Sequence, residues 1–407
     1  MVIFHSLLMY LCSLPVKSPQ SQNKGTTFIR TCFNGIGILS IPYALFEGGW
    51  ISLIALFVIA LICFYTGILL KKCMDSNPHI KSYPDIGAQA FGKKGKTTIS
   101  IFLYLEHFLL AVEFLILEGD NLHKLFPNFH LHISKKKIGG KQVFILLTAL
   151  VMLPTTWLRS LSLLAYVSAS GILASLILVG SVFWIGAFEG VGFSEKGVVW
   201  RYNGLPMAIS LYTFCYCGHA VFPTLCASMR DKSQFPKVLL VCFIWSTISY
   251  GSMAVLGYLM YGEDLMSQKP SNEISSKIAI YTTIINPITK YAIIICPIAM
   301  ALEETLLVQN NKLVSLIIRT TLVINTVIVA LLVPFFGYMM AFIGAFLSIS
   351  GSILFPCLCY LKINKKLRNF GLELIFILVI ILVLGFFAAA VGTFISVKDI
   401  VEHIHMK

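Results

Sequence analysis

The chain has 407 residues, of which 57% are hydrophobic and only 12% charged, with a mean hydropathy of +0.85. A soluble globular protein carries about 25% charged residues, so this composition excludes a water-soluble multidomain enzyme, a disordered scaffold and a disulfide-built secreted protein. A spanning helix needs ~20 apolar residues, and the continuous apolar runs here are far longer than the alternating ~10-residue strands of a membrane barrel. The chain therefore reads as an all-α polytopic membrane protein. Residues 1–25 form a short tail, apolar through VIFHSLLMYLCSLPV but without the basic start of a signal peptide. Eleven spans are predicted after it, at 26–46, 48–71, 98–119, 142–157, 161–188, 204–228, 237–261, 277–302, 313–333, 337–361 and 371–397, followed by a tail at 398–407. The short connections make residues 26–397 one transmembrane domain.

The net charge of +13 is a matter of orientation rather than of nucleic-acid binding. With the N-terminus in the cytoplasm, seventeen Lys and Arg fall in inside segments and eleven in outside ones, while Arg30, Lys290 and Arg319 lie within spans. Basic residues favour the cytoplasmic side, so this orientation is preferred, with Lys135, Lys136 and Lys137 as the main dissent. The eleven cysteines are an odd number and none falls in a predicted outside loop, which argues against an obligatory disulfide. Cys215, Cys217, Cys357 and Cys359 read as small apolar packing residues, with Cys73 outside the spans, and no metal-binding spacing is present.

Two spans are interrupted. Span 1 contains Asn34-Gly35-Ile36-Gly37 followed by Pro42, and span 6 contains Tyr216-Cys217-Gly218-His219 followed by Pro223. Gly and Pro disfavour helix interiors by about 1 and about 3 kcal/mol. Irregular backbone survives at membrane depth only where it is buried in protein or lines a cavity. There, free N–H groups at a helix end can hold a carboxylate. Spans 1 and 6 are five apart, and paired interrupted helices at matching positions of two halves point to a transporter with inverted repeats and a midplane site. The halves would be residues 26–188 and 204–361, with 371–397 as an extra helix. The competing explanation, close helix packing at Gly35 and Gly37, accounts for one such span more readily than for two.

Charges inside the bilayer cost at least ~2.5 kcal/mol each, so those that occur there are candidates for function. Glu106, Glu113 and Asp120 are spaced by seven along span 3 and share a helical face. Buried carboxyls suit reversible protonation, which makes Glu106 and Glu113 candidates for moving protons, while Glu118 and Asp120 read as interfacial. His107 fits a hydrogen-bonded packing residue as readily as a functional one. His219, in the span 6 break, can titrate near neutrality or be a satisfied cavity histidine. Lys290 in span 8 is either a fixed buried positive charge or a side chain that snorkels to the interface. Glu303, Glu304 and Arg319 read as interfacial.

Taken together, Asn34-Gly-Ile-Gly-Ile-Leu-Ser-Ile-Pro42-Tyr, Leu117-Glu-Gly-Asp-Asn121-Leu, Phe214-Cys-Tyr-Cys-Gly-His-Ala-Val-Phe-Pro223, Asn286-Pro-Ile-Thr-Lys-Tyr291 and Ala301-Leu-Glu-Glu304 resemble the amino acid/auxin permease family, and most of all its plant vacuolar subgroup. The resemblance spans about residues 24–397. It implies eleven spans in a LeuT-like five-plus-five inverted repeat and a secondary active transporter of mainly neutral amino acids. Coupling would be to a proton gradient, with no cofactor besides the proton, in the vacuolar membrane, with the plasma membrane or another endomembrane as the alternatives. By the family pattern, Asn34, Gly35, Ile36 and Gly37 would hold the substrate carboxylate, and Tyr216, Cys217 and Gly218 would face its amino group. The partners expected are the amino acid and the lipid bilayer, not nucleic acid. Two departures stand out: the tail is short and apolar where subgroup members carry a long polar one, and 161–188 lacks the lysine that some proton-coupled relatives place in span 5. The alternative is an amino acid sensor that signals without bulk transport. An embedded enzyme is not expected, because the remaining histidines are scattered through loops and tails without catalytic spacing.

Overall fold

The computed structural model describes residues 37–129, 131–133, 136–157, 177–188, 192–229, 231–262, 274–307, 311–333, 336–364 and 372–405. Twelve helices run through them: α1 Gly37–Gly48, α2 Ser52–Asp75, α3 Tyr83–Leu125, α4 Gly140–Trp157, α5 Ile177–Phe188, α6 Leu205–Tyr216, α7 Phe222–Ser228, α8 Phe235–Tyr261, α9 Ile274–Thr305, α10 Lys312–Leu332, α11 Phe336–Ile363 and α12 Leu372–His405. Seven described helices are long and apolar enough to cross a membrane, as a polytopic membrane protein requires. Predicted span 1 is described only from Gly37 and span 5 only from Ile177. A short antiparallel ribbon, β1 Leu131–Ile133 and β2 Lys136–Ile138, pairs Leu131 with Ile138 and Ile133 with Lys136 in what read as a plain loop.

Helix α3 corrects the expected 71–96 loop. Span 2 continues to Asp75, which buries Cys73 completely, and only a short turn precedes Tyr83. The Ser82 hydroxyl accepts from the Asp85 amide at 3.4 Å and the Asp85 carboxylate accepts from the Ser82 amide at 3.0 Å, a reciprocal cap that starts the helix. Lys93, Lys94 and Lys96 interrupt the apolar pattern there without ending the helix. Gly92, at φ 66°, kinks it instead, in a conformation that costs glycine little.

The helices sort into two groups. In one, α1, α2, α6 and α8 pack on each other; in the other, α3 packs with α4, α9 and α10. Contact between α2 and α3 is slight, and α11 touches both groups. The core is aromatic, with Tyr83, Phe114, Tyr212, Phe222, Tyr250, Tyr258 and Tyr291 fully or almost fully buried. Helix α11 carries π-helical turns at Ile343–Ser348 and Ser350–Leu354. Gly344 lies so close to α6 that a Cβ would overlap the Ser210 carbonyl oxygen. π-turns leave backbone carbonyls out of register, and Tyr83 Oη donates to one of them, Gly351 O, at 2.6 Å.

Candidate functional site

The span 6 interruption is real. Helix α6 ends at Tyr216, Cys217 is extended (φ −66°, ψ 118°), and α7 starts at Phe222 with Pro223 in its first turn. Proline suits a first turn because that N–H has no helical partner, so the Gly-then-Pro order closes one helix and opens the next. The broken backbone is held in several places. Tyr250 Oη donates to Cys215 O at 3.2 Å, taking one of the carbonyls that a helix end leaves open. Tyr216 Oη donates to Thr247 Oγ1 at 2.9 Å, and its ring meets those of Phe243 and Tyr250.

Glu106 lies where the two helix groups meet. Its Oε1 accepts from Cys217 Sγ at 2.7 Å and from Ser348 Oγ at 2.9 Å, so one carboxyl on α3 joins the α6–α7 break to the π-helical part of α11. Glu106 is buried. Cys217 is therefore a hydrogen-bond donor to a carboxyl, not merely the apolar packing residue that its sequence context suggested.

His219 points the other way, into α2. Its Nε2 lies 3.0 Å from Cys63 O and 2.9 Å from Thr66 Oγ1. A carbonyl only accepts, so Nε2 carries the hydrogen and Nδ1 keeps the lone pair. Nδ1 is buried and has no partner among the described residues. One side of His219 is thus satisfied and the other is open.

Of the remaining predicted residues, Asn34, Gly35 and Ile36 lie outside the described residues, and Gly37 opens α1. Glu113 is fully buried, about 10 Å along α3 from Glu106 at the helical rise per residue. Neither Glu113 carboxyl oxygen has a partner among the described residues. Lys290 is fully buried within α9, next to the buried Tyr291, which removes the snorkelling alternative. His107 is buried, with Nδ1 2.7 Å from Leu103 O, in keeping with a hydrogen-bonded packing residue.

Three interfacial assignments are corrected. Glu118 is fully buried, with both carboxyl oxygens unpartnered among the described residues. Glu303 and Arg319 form a buried ion pair, Nε to Oε1 at 3.1 Å. Sixteen residues and a turn separate this pair, so no helical spacing reveals it. Asp120 does remain partly exposed, paired with Lys141. Among the described residues, no group of three His, Cys, Asp or Glu could hold a metal ion.

The family described as "Transmembrane amino acid transporter protein" matches residues 19–398. Among curated proteins, the chain is 48% identical to amino acid transporter AVT1I of Arabidopsis thaliana over 95% of this chain and 98% of that protein. It is 50% identical to amino acid transporter AVT1J of the same plant, over 92% of each, and 43% identical to AVT1B over 91% of this chain and 69% of the relative. A match across nearly the whole chain, on a helical membrane bundle with a broken span at its centre, shows that this chain belongs to the transmembrane amino acid transporter family.

Proposed function

We propose that the chain is a secondary active transporter of mainly neutral amino acids, driven by a proton gradient, in the vacuolar membrane. It works by alternating access on an eleven-span, five-plus-five inverted-repeat frame. The sorting of α1, α2, α6 and α8 against α3, α4, α9 and α10 supports this frame, because alternating access is largely one rigid group rocking against another around a fixed site. Substrate is held at the breaks of spans 1 and 6: the carboxylate at Asn34, Gly35, Ile36 and Gly37, the amino group at the carbonyl end of α6 around Tyr216, Cys217 and Gly218.

The observation that carries the coupling is the bridge at Glu106. As a carboxylate it accepts from Cys217 on one group and from Ser348 on α11. Hydrogen bonds to an ionised acceptor are roughly twice as strong as neutral ones, so the charged form latches the break to its neighbours. Protonation weakens both bonds and frees the break to move. Glu113, one face-repeat along α3, passes protons toward Glu106. His219 keeps an open acceptor beside the break, and Lys290 supplies a fixed basic group in α9.

The test is uptake of a panel of labelled amino acids into proteoliposomes under both orientations of an imposed pH gradient. Accumulation in one orientation supports the proposal, and flux indifferent to the gradient overturns the coupling. Binding of amino acids with no flux in either orientation would replace the transporter by a sensor.

A further inference from the structure

A second polar feature lies well away from the break. Trp157 at the end of α4 and Lys312, Ser315, Leu316 and Arg319 in the first turns of α10 line a cleft of about 190 Å³. Its inner wall is tied together by hydrogen bonds. Arg319 Nε donates to Glu303 Oε1, its Nη1 donates to Thr156 O at 2.8 Å and lies 4.0 Å from Cys296 Sγ, and Ser315 Oγ donates to the same Glu303 oxygen at 2.5 Å. A guanidinium has five N–H donors. Those on Nε and Nη1 are committed, while Nη2 has no acceptor among the described residues.

The charges do not cancel. Glu303 balances Arg319, but no described carboxylate lies within ion-pair distance of Lys312, so the cleft carries one net positive charge. The start of α10 does not hold an anion itself, because Asn311 Oδ1 already occupies the amides of Leu313 and Val314. An anion here would be held by side chains.

The rim is apolar. Leu313, Leu316 and Ile317 are exposed on α10, a surface that belongs against acyl chains. Trp157 is exposed beside them and donates from Nε1 to Thr320 Oγ1 at 3.2 Å. Tryptophan is enriched at membrane–water interfaces, and the orientation that the basic residues favour puts this end of the bundle on the cytoplasmic side. Basic pockets between spanning helices on that side suit anionic headgroups.

We propose that this cleft binds a monoanionic glycerophospholipid: the phosphodiester sits between Lys312 Nζ and Arg319 Nη2, and an acyl chain follows Leu313, Leu316 and Ile317. A soluble phosphate ester shares the charge but gains nothing from the apolar rim.

The test is native mass spectrometry of the full chain titrated with dioleoyl phosphatidylglycerol, dioleoyl phosphatidylcholine or glycerol 3-phosphate. The wild type should retain phosphatidylglycerol in preference to phosphatidylcholine. Lys312→Gln should weaken that retention about five-fold, as expected for one basic side chain at an anionic headgroup, and Lys312→Arg should restore it. Lys312 is exposed, so neither change threatens folding. Equal retention by wild type and Lys312→Gln, or no preference over phosphatidylcholine, overturns the site. Glycerol 3-phosphate binding as tightly as the lipid overturns the lipid assignment.

Discussion

Replacing Glu106 by glutamine separates the carboxyl's role as an acceptor from its role as a proton carrier. The amide oxygen of Glu106→Gln can still accept from Cys217 Sγ and Ser348 Oγ. A hydrogen bond to a charged group contributes about 1.5–3 kcal/mol and a neutral one about 0.5–1.5, so the change forfeits roughly 1 kcal/mol per donor, or about 2 in all. It also removes a buried charge, whose insertion costs at least ~2.5 kcal/mol. These nearly cancel, and the variant should unfold within a few degrees of the wild type. Glu106→Ala sheds the same charge but strands two buried donors at about 1–3 kcal/mol each and opens a cavity worth about 2 kcal/mol or more, so it should be clearly less stable than Glu106→Gln. In proteoliposomes, Glu106→Gln should retain counterflow exchange of labelled substrate but lose accumulation driven by a pH gradient. Wild-type accumulation by Glu106→Gln would refute the reasoning that this carboxyl couples protons to the break.

Four further outcomes follow from the same geometry. Cys217→Ser keeps a donor to Glu106 and should transport, whereas Cys217→Val should impair pH-driven uptake while leaving expression intact; equal activity of the two would sink the role of the thiol. Glu303→Ala leaves Arg319 buried without its carboxylate and should lower stability by about 3–5 kcal/mol, read as a fall in the thermal midpoint of the purified protein. Gly344→Ala drives a Cβ into Ser210 O and should separate α11 from α6, abolishing uptake and lowering the thermal midpoint; a normal protein would contradict the close approach. In the turn between α7 and α8, hydrogen bonds from Ser233 and Gln234 hold the Asp231 carboxyl below its ordinary range. A depressed carboxyl stabilises above its unfolded-state pKa and loses that contribution as pH falls through the folded one. Asp231→Asn should therefore speed amide exchange at Ser233 at neutral pH, and the difference should vanish in acid below the normal aspartate range.

Much of this was legible in the sequence because the physics is local. Apolar length marks a span, and Gly218 followed by Pro223 marks a break, since backbone preference and the missing proline N–H act within a few residues. A carboxyl at position 106 stands out because any charge there needs a reason. What the sequence hid is what depends on distant partners. The thiol of Cys217 looked like packing because its acceptor is 111 residues earlier in the chain. Glu303 reads as interfacial because it sits at the end of α9, and Arg319, two turns into α10, has no partner at helical spacing; only the turn between α9 and α10 folds one onto the other. The first turns of α3 looked like a loop because three lysines break the apolar run, although the Ser82–Asp85 cap had already fixed a helix start. The π-turns of α11 have no signature in apolar periodicity, since they answer to the close approach of α6.

On the proposed mechanism protons and amino acids move together through one site, and the most direct measurement is of the protons themselves. Proteoliposomes loaded with a pH-sensitive dye, with no gradient imposed, should show a change in internal pH when a neutral amino acid is added outside. The change should scale with amino acid uptake and be absent in Glu106→Gln. Uptake of the amino acid with the internal pH unchanged would contradict it.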